Sequence, residues 1–209
     1  THPDIRPEIL ISEIEHESIL KTAENLAKNN EADLVLVPVD KNGLINLEFI
    51  QSSLNGKTAV VSVMYANNVI GSIQPIQEIA KIINDFQNSK LTTAWPLLHT
   101  DAVQAFQYLD CDINRLGVDL LTTSSHKIYG PKGAAALFVK DKKLISPLIF
   151  GGHQEFELRS GTENIPAIVG FARAAELALN NRKKESKKIL ALKKRFFEKI
   201  KKNIPGISL

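Results

Sequence analysis

Apolar residues recur along this chain in two spacings. Compact apolar runs rich in Ile, Val and Leu fall at residues 9–15, 33–39, 58–65, 96–100, 119–123 and 134–139, and these predict strands. Between them, residues 17–28 place Ile19, Leu20, Ala23 and Leu26 on one helical face. Residues 76–86 read as a helix with Ile76, Ile79, Ala80, Ile82, Ile83 and Phe86 apolar, and residues 47–54 form a short helix ended by Asn55-Gly56. Two further helices are expected at 165–179 and 186–202. Strands alternating with helices require crossovers, so the expected fold is α/β, a mostly parallel sheet with helices on both faces. The polar, Gly-containing stretch 146–163 reads as a long loop, and loops of that length in compact domains are often functional.

Composition narrows the picture. The 209 residues are 44% hydrophobic and 23% charged, as expected for one globular domain or one domain with an attached piece. No apolar run approaches the about 18–20 residues of a membrane span. The opening Thr1-His2-Pro3-Asp4 lacks the apolar core of a secretory signal. A single cysteine, Cys111, rules out an internal disulfide framework and suits a reducing compartment, so a cytoplasmic location is expected. The net charge of +3 is uneven: residues 182–202 hold eleven Lys/Arg against Glu185 and Glu198, a balance of +9, leaving −6 elsewhere. Ile189, Leu190, Leu192, Phe196, Phe197 and Ile200 recur there at roughly helical spacing, so an amphipathic helix with a solvated Lys face is expected. Nucleic acid or membrane-surface binding is the lesser alternative. The segment's aromatic residues are one adjacent pair, Phe196-Phe197, rather than spaced among the lysines, which weakens single-strand binding.

Several candidate residues follow the predicted strands, and in a parallel sheet such positions converge on one edge. Lys127 lies after strand 119–123 and before Gly130-Pro131-Lys132-Gly133; an amine there can form a Schiff base with an aldehyde cofactor, or be an ordinary surface lysine. Asp101, after strand 96–100, can keep a pyridinium nitrogen protonated, as pyridoxal phosphate requires, or can simply cap the next turn. Gln104 can hydrogen-bond the ring hydroxyl or stay solvated. Asn67 is a natural turn former, while Asn68 can donate to a ring substituent. His16, after the first strand, can stack on a planar cofactor, although a lone His in that position is usually not catalytic. Gly151-Gly152-His153 and Arg159-Ser160-Gly161-Thr162-Glu163-Asn164 can cradle an anion ahead of a helix, or form a capping turn with Thr162 as N-cap.

Five segments together resemble the pyridoxal-phosphate-dependent cysteine desulfurases of the class V aminotransferase group. They are Glu15-His16; Tyr65-Ala66-Asn67-Asn68-x-Ile70-Gly71; His99-Thr100-Asp101-Ala102-x-Gln104; Ser124-x-His126-Lys127-x-Tyr129-Gly130-Pro131-Lys132-Gly133; and Arg159-Ser160-Gly161-Thr162-Glu163-Asn164. The resemblance runs in order from about Ile9 to the end, and it implies the large domain of a fold-type I enzyme of this cofactor. By that resemblance Lys127 would bind the cofactor covalently and move the α-proton of the substrate. His16 would stack on the ring, Asp101 would pair with its nitrogen, and Asn68 and Gln104 would bind the ring hydroxyl region. Ser124 and His126 would hold the phosphate, and Thr162 would reach the phosphate of a second subunit, implying a homodimer. The implied reaction takes L-cysteine to alanine, leaving a persulfide whose sulfur passes to an iron–sulfur scaffold or a tRNA-thiolation partner.

The match also departs from the family. The family carries an N-terminal phosphate turn of Gly-Ala-Thr type, and a C-terminal small domain with the nucleophilic cysteine and a carboxylate-binding arginine; neither has a counterpart here. Residues 1–180 are therefore expected to be the cofactor-binding domain and 181–209 a helix leading toward the small domain. The fragment alone is expected not to turn over cysteine. Cys111 lies between Asp110 and Asp112, which would raise its pKa, so it reads as structural; Arg159 is a weak carboxylate partner. The segment 90–95 is longer than is usual in the family. A selenocysteine lyase, another class V aminotransferase, or a non-catalytic module for dimerisation or partner docking are the alternatives.

Overall fold

The computed structural model describes residues 6–90 and 95–206. The polar opening Thr1–Asp4 and most of the extended 90–95 segment lie outside the described residues. Six strands form one sheet: β1 (Glu8–Ser12), β2 (Asp33–Val37), β3 (Thr58–Ser62), β4 (Leu97–Asp101), β5 (Leu120–Ser124) and β6 (Ala135–Val139), in the order β2-β1-β3-β4-β5-β6. The first five are parallel and β6 pairs antiparallel with β5. Helices α1 (Glu17–Lys28), α2 (Leu47–Ser53) and α3 (Ile76–Lys90) make the crossovers. The β1 to β2 step runs along the sheet against the β3 to β4 step, so right-handed crossovers put α1 and α3 on opposite faces.

That arrangement explains the strand composition. Covered on both faces, Leu10, Val61, Leu98 and Leu121 join α3 residues Ile76, Ile79 and Ile83 in one buried cluster. The first three strands end two or three residues before their apolar patterns do. Residues such as Val63 and Met64 remain buried but belong to the turns that leave the carboxyl edge of the sheet.

Two expectations change. A short helix, α4 (Ile113–Leu116), follows Cys111; Asp112 is its N-cap, accepting from Asn114 N at 3.0 Å and Arg115 N at 3.1 Å. The two expected C-terminal helices are one, α5 (Ile165–Asn203), unbroken through Asn180-Asn181. Tertiary contacts hold its middle: Arg182 Nη2 donates to Phe106 O at 2.9 Å, and Ser186 Oγ donates to Tyr108 O at 3.1 Å. Its N-cap is Asn164, not Thr162; Asn164 Oδ1 accepts from Ala167 N. The Lys face of α5 is solvated, yet Leu190, Leu192 and Phe196 on its apolar stripe are exposed too.

Candidate functional site

The direction of chain travel reverses between neighbours β1 and β3, and in open α/β sheets ligands bind beyond the carboxyl ends of the strands at such a switch point. The chain leaves β1 through Glu15 and His16, β3 through Met64 to Asn68, β4 through Asp101, and β5 through Ser124 to Lys127. All four exits lie on the same sheet edge because these strands are parallel.

His16 is the N-cap of α1. Its Nδ1 accepts the Ser18 N–H at 3.2 Å and lies 2.8 Å from Ser18 Oγ. A nitrogen that accepts a backbone N–H carries no proton, which puts the neutral ring's proton on Nε2 and fixes the imidazole plane. Asn67 is buried and ties two exits together. Its Nδ2 donates to Ile14 O at 2.9 Å, and its Oδ1 accepts from Val69 N and Ile70 N. Asn68 beside it is exposed.

Asp101 ends β4 and is buried. Oδ1 accepts the Val103 N–H at 2.8 Å, so it does cap the following turn. Burial raises its carboxyl pKa, and the Val103 N–H pulls it back. His16 lies in the same neighbourhood, near enough that its protonated form would favour the Asp101 anion. Gln104 lies half-buried in the turn beyond.

The β5 exit is a tight 3-10 turn, Ser125–Ile128, closed by left-handed Tyr129. Ser124 Oγ lies 2.9 Å from His126 Nδ1. Gly130 is closely enclosed: a Cβ there would meet Ser125 Oγ at 2.2 Å and Ala174 of α5 at 3.0 Å, so the turn or α5 would have to shift. Lys127 is exposed on this turn, as is His126. Thr162 is exposed on the loop before α5, where Ser160 Oγ donates to Gly152 O at 2.8 Å, and no side-chain hydrogen bond joins Thr162 to the β-strand exits among the described residues.

Two further groups here, a half-buried imidazole and a buried carboxyl, were quoted in the sequence motifs without a role. His99, two residues before Asp101, bridges three strands: Nδ1 lies 2.8 Å from Ser62 Oγ and Nε2 2.9 Å from Thr122 Oγ1. Burial lowers its pKa to about 4, so it is neutral. Glu15 accepts Met64 N at 2.5 Å, and burial raises its pKa to about 8. Only the adjacency of Glu15 to His16 signalled it. Cys111 is half-buried and its thiol is pushed up to about 11, chiefly by burial and less by Asp110; Arg182 opposes the shift, and Asp112 is engaged as a cap instead.

Clefts of about 340 Å³ beside Tyr65 and Gln74 and about 230 Å³ beside Gln107 and Tyr129 include neither Asp101 nor Lys127. The candidate site is an open edge. Its donor set fits pyridoxal phosphate on one observation: the Asp101 residue is buried, yet its Oδ2 makes no hydrogen bond among the described residues and is not sealed from solvent, so it is open to a ring N–H⁺. No helix among the described residues is long and apolar enough to cross a membrane.

An open parallel sheet with a carboxylate, an imidazole and a lysine at successive strand exits has a counterpart among known proteins. Residues 3–209 match the family model described as aminotransferase class-V, and the chain belongs to that family, whose members in general depend on pyridoxal phosphate. Cysteine desulfurase IscS 1 of Archaeoglobus fulgidus is 42% identical over 194 residues, 93% of this chain and 48% of the relative. A solved structure titled NifS-like protein superposes with a TM-score of 0.86 at 35% identity, covering 94% of this chain and 52% of that one. SspA in complex with cysteine matches with a TM-score of 0.74 at 35% identity over 82% of this chain and 47% of that one. The chain spans about half the length of the curated relatives it matches.

Proposed function

We propose that this chain is the cofactor-bearing part of a cysteine desulfurase that converts L-cysteine to L-alanine and passes the sulfur to a protein thiol as a persulfide. The observation that carries the reading is the buried Asp101 carboxylate at the sheet edge, near His16 and one strand away from the Ser124–Lys127 exit. When bound, pyridoxal phosphate supplies a cationic ring that accepts electrons from the substrate's α-carbon. Asp101 would hold the ring nitrogen protonated, and His16, fixed by its Ser18 contacts, would stack on the ring. Asn68 and Gln104 would bind the ring hydroxyl region, and Ser124 and His126 the phosphate. Lys127 would hold the cofactor's aldehyde carbon and then carry the α-proton of the substrate. The family membership and the cysteine in the SspA structure support cysteine as substrate.

The sulfur-accepting thiol is not Cys111: a thiol with pKa about 11 holds almost no thiolate at neutral pH. Residues 1–180 act as the cofactor domain and 181–209 lead out of it. Thr162 serves the second subunit of a homodimer, and the sulfur acceptor is an iron–sulfur scaffold or a tRNA-thiolation protein.

The test is absorbance. Adding pyridoxal phosphate to the chain should raise a visible band that Lys127→Ala abolishes and that survives dialysis only with Lys127 present. The same loaded chain should yield no alanine from cysteine. A band unchanged in Lys127→Ala sinks the assignment of the amine, and no band at all favours a docking module.

A further inference from the structure

Glu15 is 7% exposed, and its two oxygens are unequal. Oε1 accepts the Met64 N–H at 2.5 Å across two strand exits 49 residues apart, while Oε2 is buried with no hydrogen-bond partner among the described residues. The charged and titratable groups beside it are Asp101 from the end of β4, His16 at the start of α1, and Glu13, whose Oε1 is engaged with Val39 N. No cation pairs with Glu15 among the described residues.

From that geometry we infer that Glu15 is a positioning residue, held as a neutral carboxylic acid, that clamps the β1 exit bearing His16 onto the β3 exit and leaves Asp101 as the charged carboxylate of the site. The inference rests on the cofactor reading above for its purpose, although not for its protonation state. Two neighbouring buried carboxyls cannot both ionise without large cost, so a proton stays on one of them. Asp101 has two influences that favour its anion, the Val103 N–H and an Oδ2 that, unlike Glu15 Oε2, is not among the sealed, unpartnered atoms of the described residues. Glu15 has one, the Met64 N–H, and its burial outweighs it, consistent with a carboxyl raised to about 8. The proton therefore resides on Glu15. An ionised Glu15 would instead compete for the proton of a ring nitrogen or force one onto Asp101. Asn67 Nδ2, donating to Ile14 O, stitches the same two segments a second time, so the clamp is part of a built junction.

The neutral amide in Glu15→Gln keeps the shape and the acceptor for Met64 N, whereas Glu15→Asp keeps the charge chemistry but shortens the reach. In the cofactor-free chain, isotope-edited infrared difference spectra of wild type against Glu15→Gln should show a protonated-carboxyl stretch at neutral pH that disappears above about pH 8. Glu15→Gln should retain wild-type affinity for pyridoxal phosphate at pH 7 and hold it at pH 9, where wild type weakens. Glu15→Asp should bind about tenfold more weakly at pH 7, the scale of one lost supporting hydrogen bond. A carboxylate rather than an acid stretch at pH 7 overturns the inference, as does a Glu15→Gln variant as impaired as Glu15→Asp. If wild type raises no cofactor band, the desulfurase reading fails and the infrared result still decides the protonation of Glu15.

Discussion

Apart from the exposed Val69, Ile70 and Ile73, two stretches of this molecule treat large apolar side chains differently. Between residues 6 and 128, large side chains such as Leu10, Ile50, Val61, Ile79 and Leu98 are at most 1% exposed. Beyond them Leu148, Phe150, Phe156 and Val169 are 92%, 81%, 82% and 62% exposed, and after Ile128 only Ala167 and Ala174 join the buried apolar residues described. The first stretch is a parallel sheet covered by its own crossover helices. The second adds one antiparallel edge strand, a loop and a helix that docks at Gly130, Pro131, Phe106 and Tyr108. Folding energy thus resides in the first stretch, and the second presents the kind of surface that recognises another surface. Lys127 sits at the border between the two.

The sharpest way to break that contrast is a large-to-small change in the closed half. Leu98→Ala removes a side chain in the central strand packed in the main cluster, and should cost about 2–5 kcal/mol in urea unfolding. A loss as small as that of a surface change would mean that the sheet core is not what holds the chain together.

Next in size is the pH dependence of stability, which the closed half should govern through two groups of opposite sign. His99 is depressed from 6.5 to about 4, so the unfolded chain holds its proton where the folded chain does not. Its contribution is full above 6.5 and is lost as pH falls through about 4. Glu15 is raised from 4.5 to about 8, so the folded chain holds the extra proton; its contribution is full below 4.5 and is lost as pH rises through about 8. Each slope approaches about 1.4 kcal/mol per pH unit. They oppose each other between 4.5 and 6.5, and from 6.5 to 8 only the fall due to Glu15 remains. Chemical denaturation across pH should show that fall in wild type and in His99→Gln, and its loss in Glu15→Gln. A wild-type profile flat from 6.5 to 8 would remove Glu15 from the account.

The smallest effect belongs to the open half. Leu148→Ser should change stability by no more than about 0.5 kcal/mol while reducing self-association seen by light scattering. A loss beyond about 1 kcal/mol would show that the exposed segment is part of the folding unit after all.

Much of the fold was legible in the residues. Helix α1 has the bounds its periodicity predicts, Glu17–Lys28, because its face of Ile19, Leu20, Ala23 and Leu26 is a local property. The six strands were found too, though β1, β2 and β3 end early, since an apolar run does not reveal where a buried strand becomes a buried turn. The unbroken α5 was not legible: two helices were expected, at 165–179 and 186–202, and the gap between them is helical where Arg182 reaches Phe106, 76 residues away. His16 and Asp101 could be named as candidates by their place after strands. That His16 is a helix cap depended on how the chain turns after β1.

The sequence by itself determined the alternation of strand and helix, the family, and the set of polar residues that leave the strands, since periodicity and motif spacing are written between near neighbours. Only the tertiary structure decided which of those residues are buried, which carboxyl keeps its proton and which apolar faces stay bare. Those properties follow from desolvation and from partners such as Met64 for Glu15 and Thr122 for His99, which the fold alone brings within hydrogen-bonding distance.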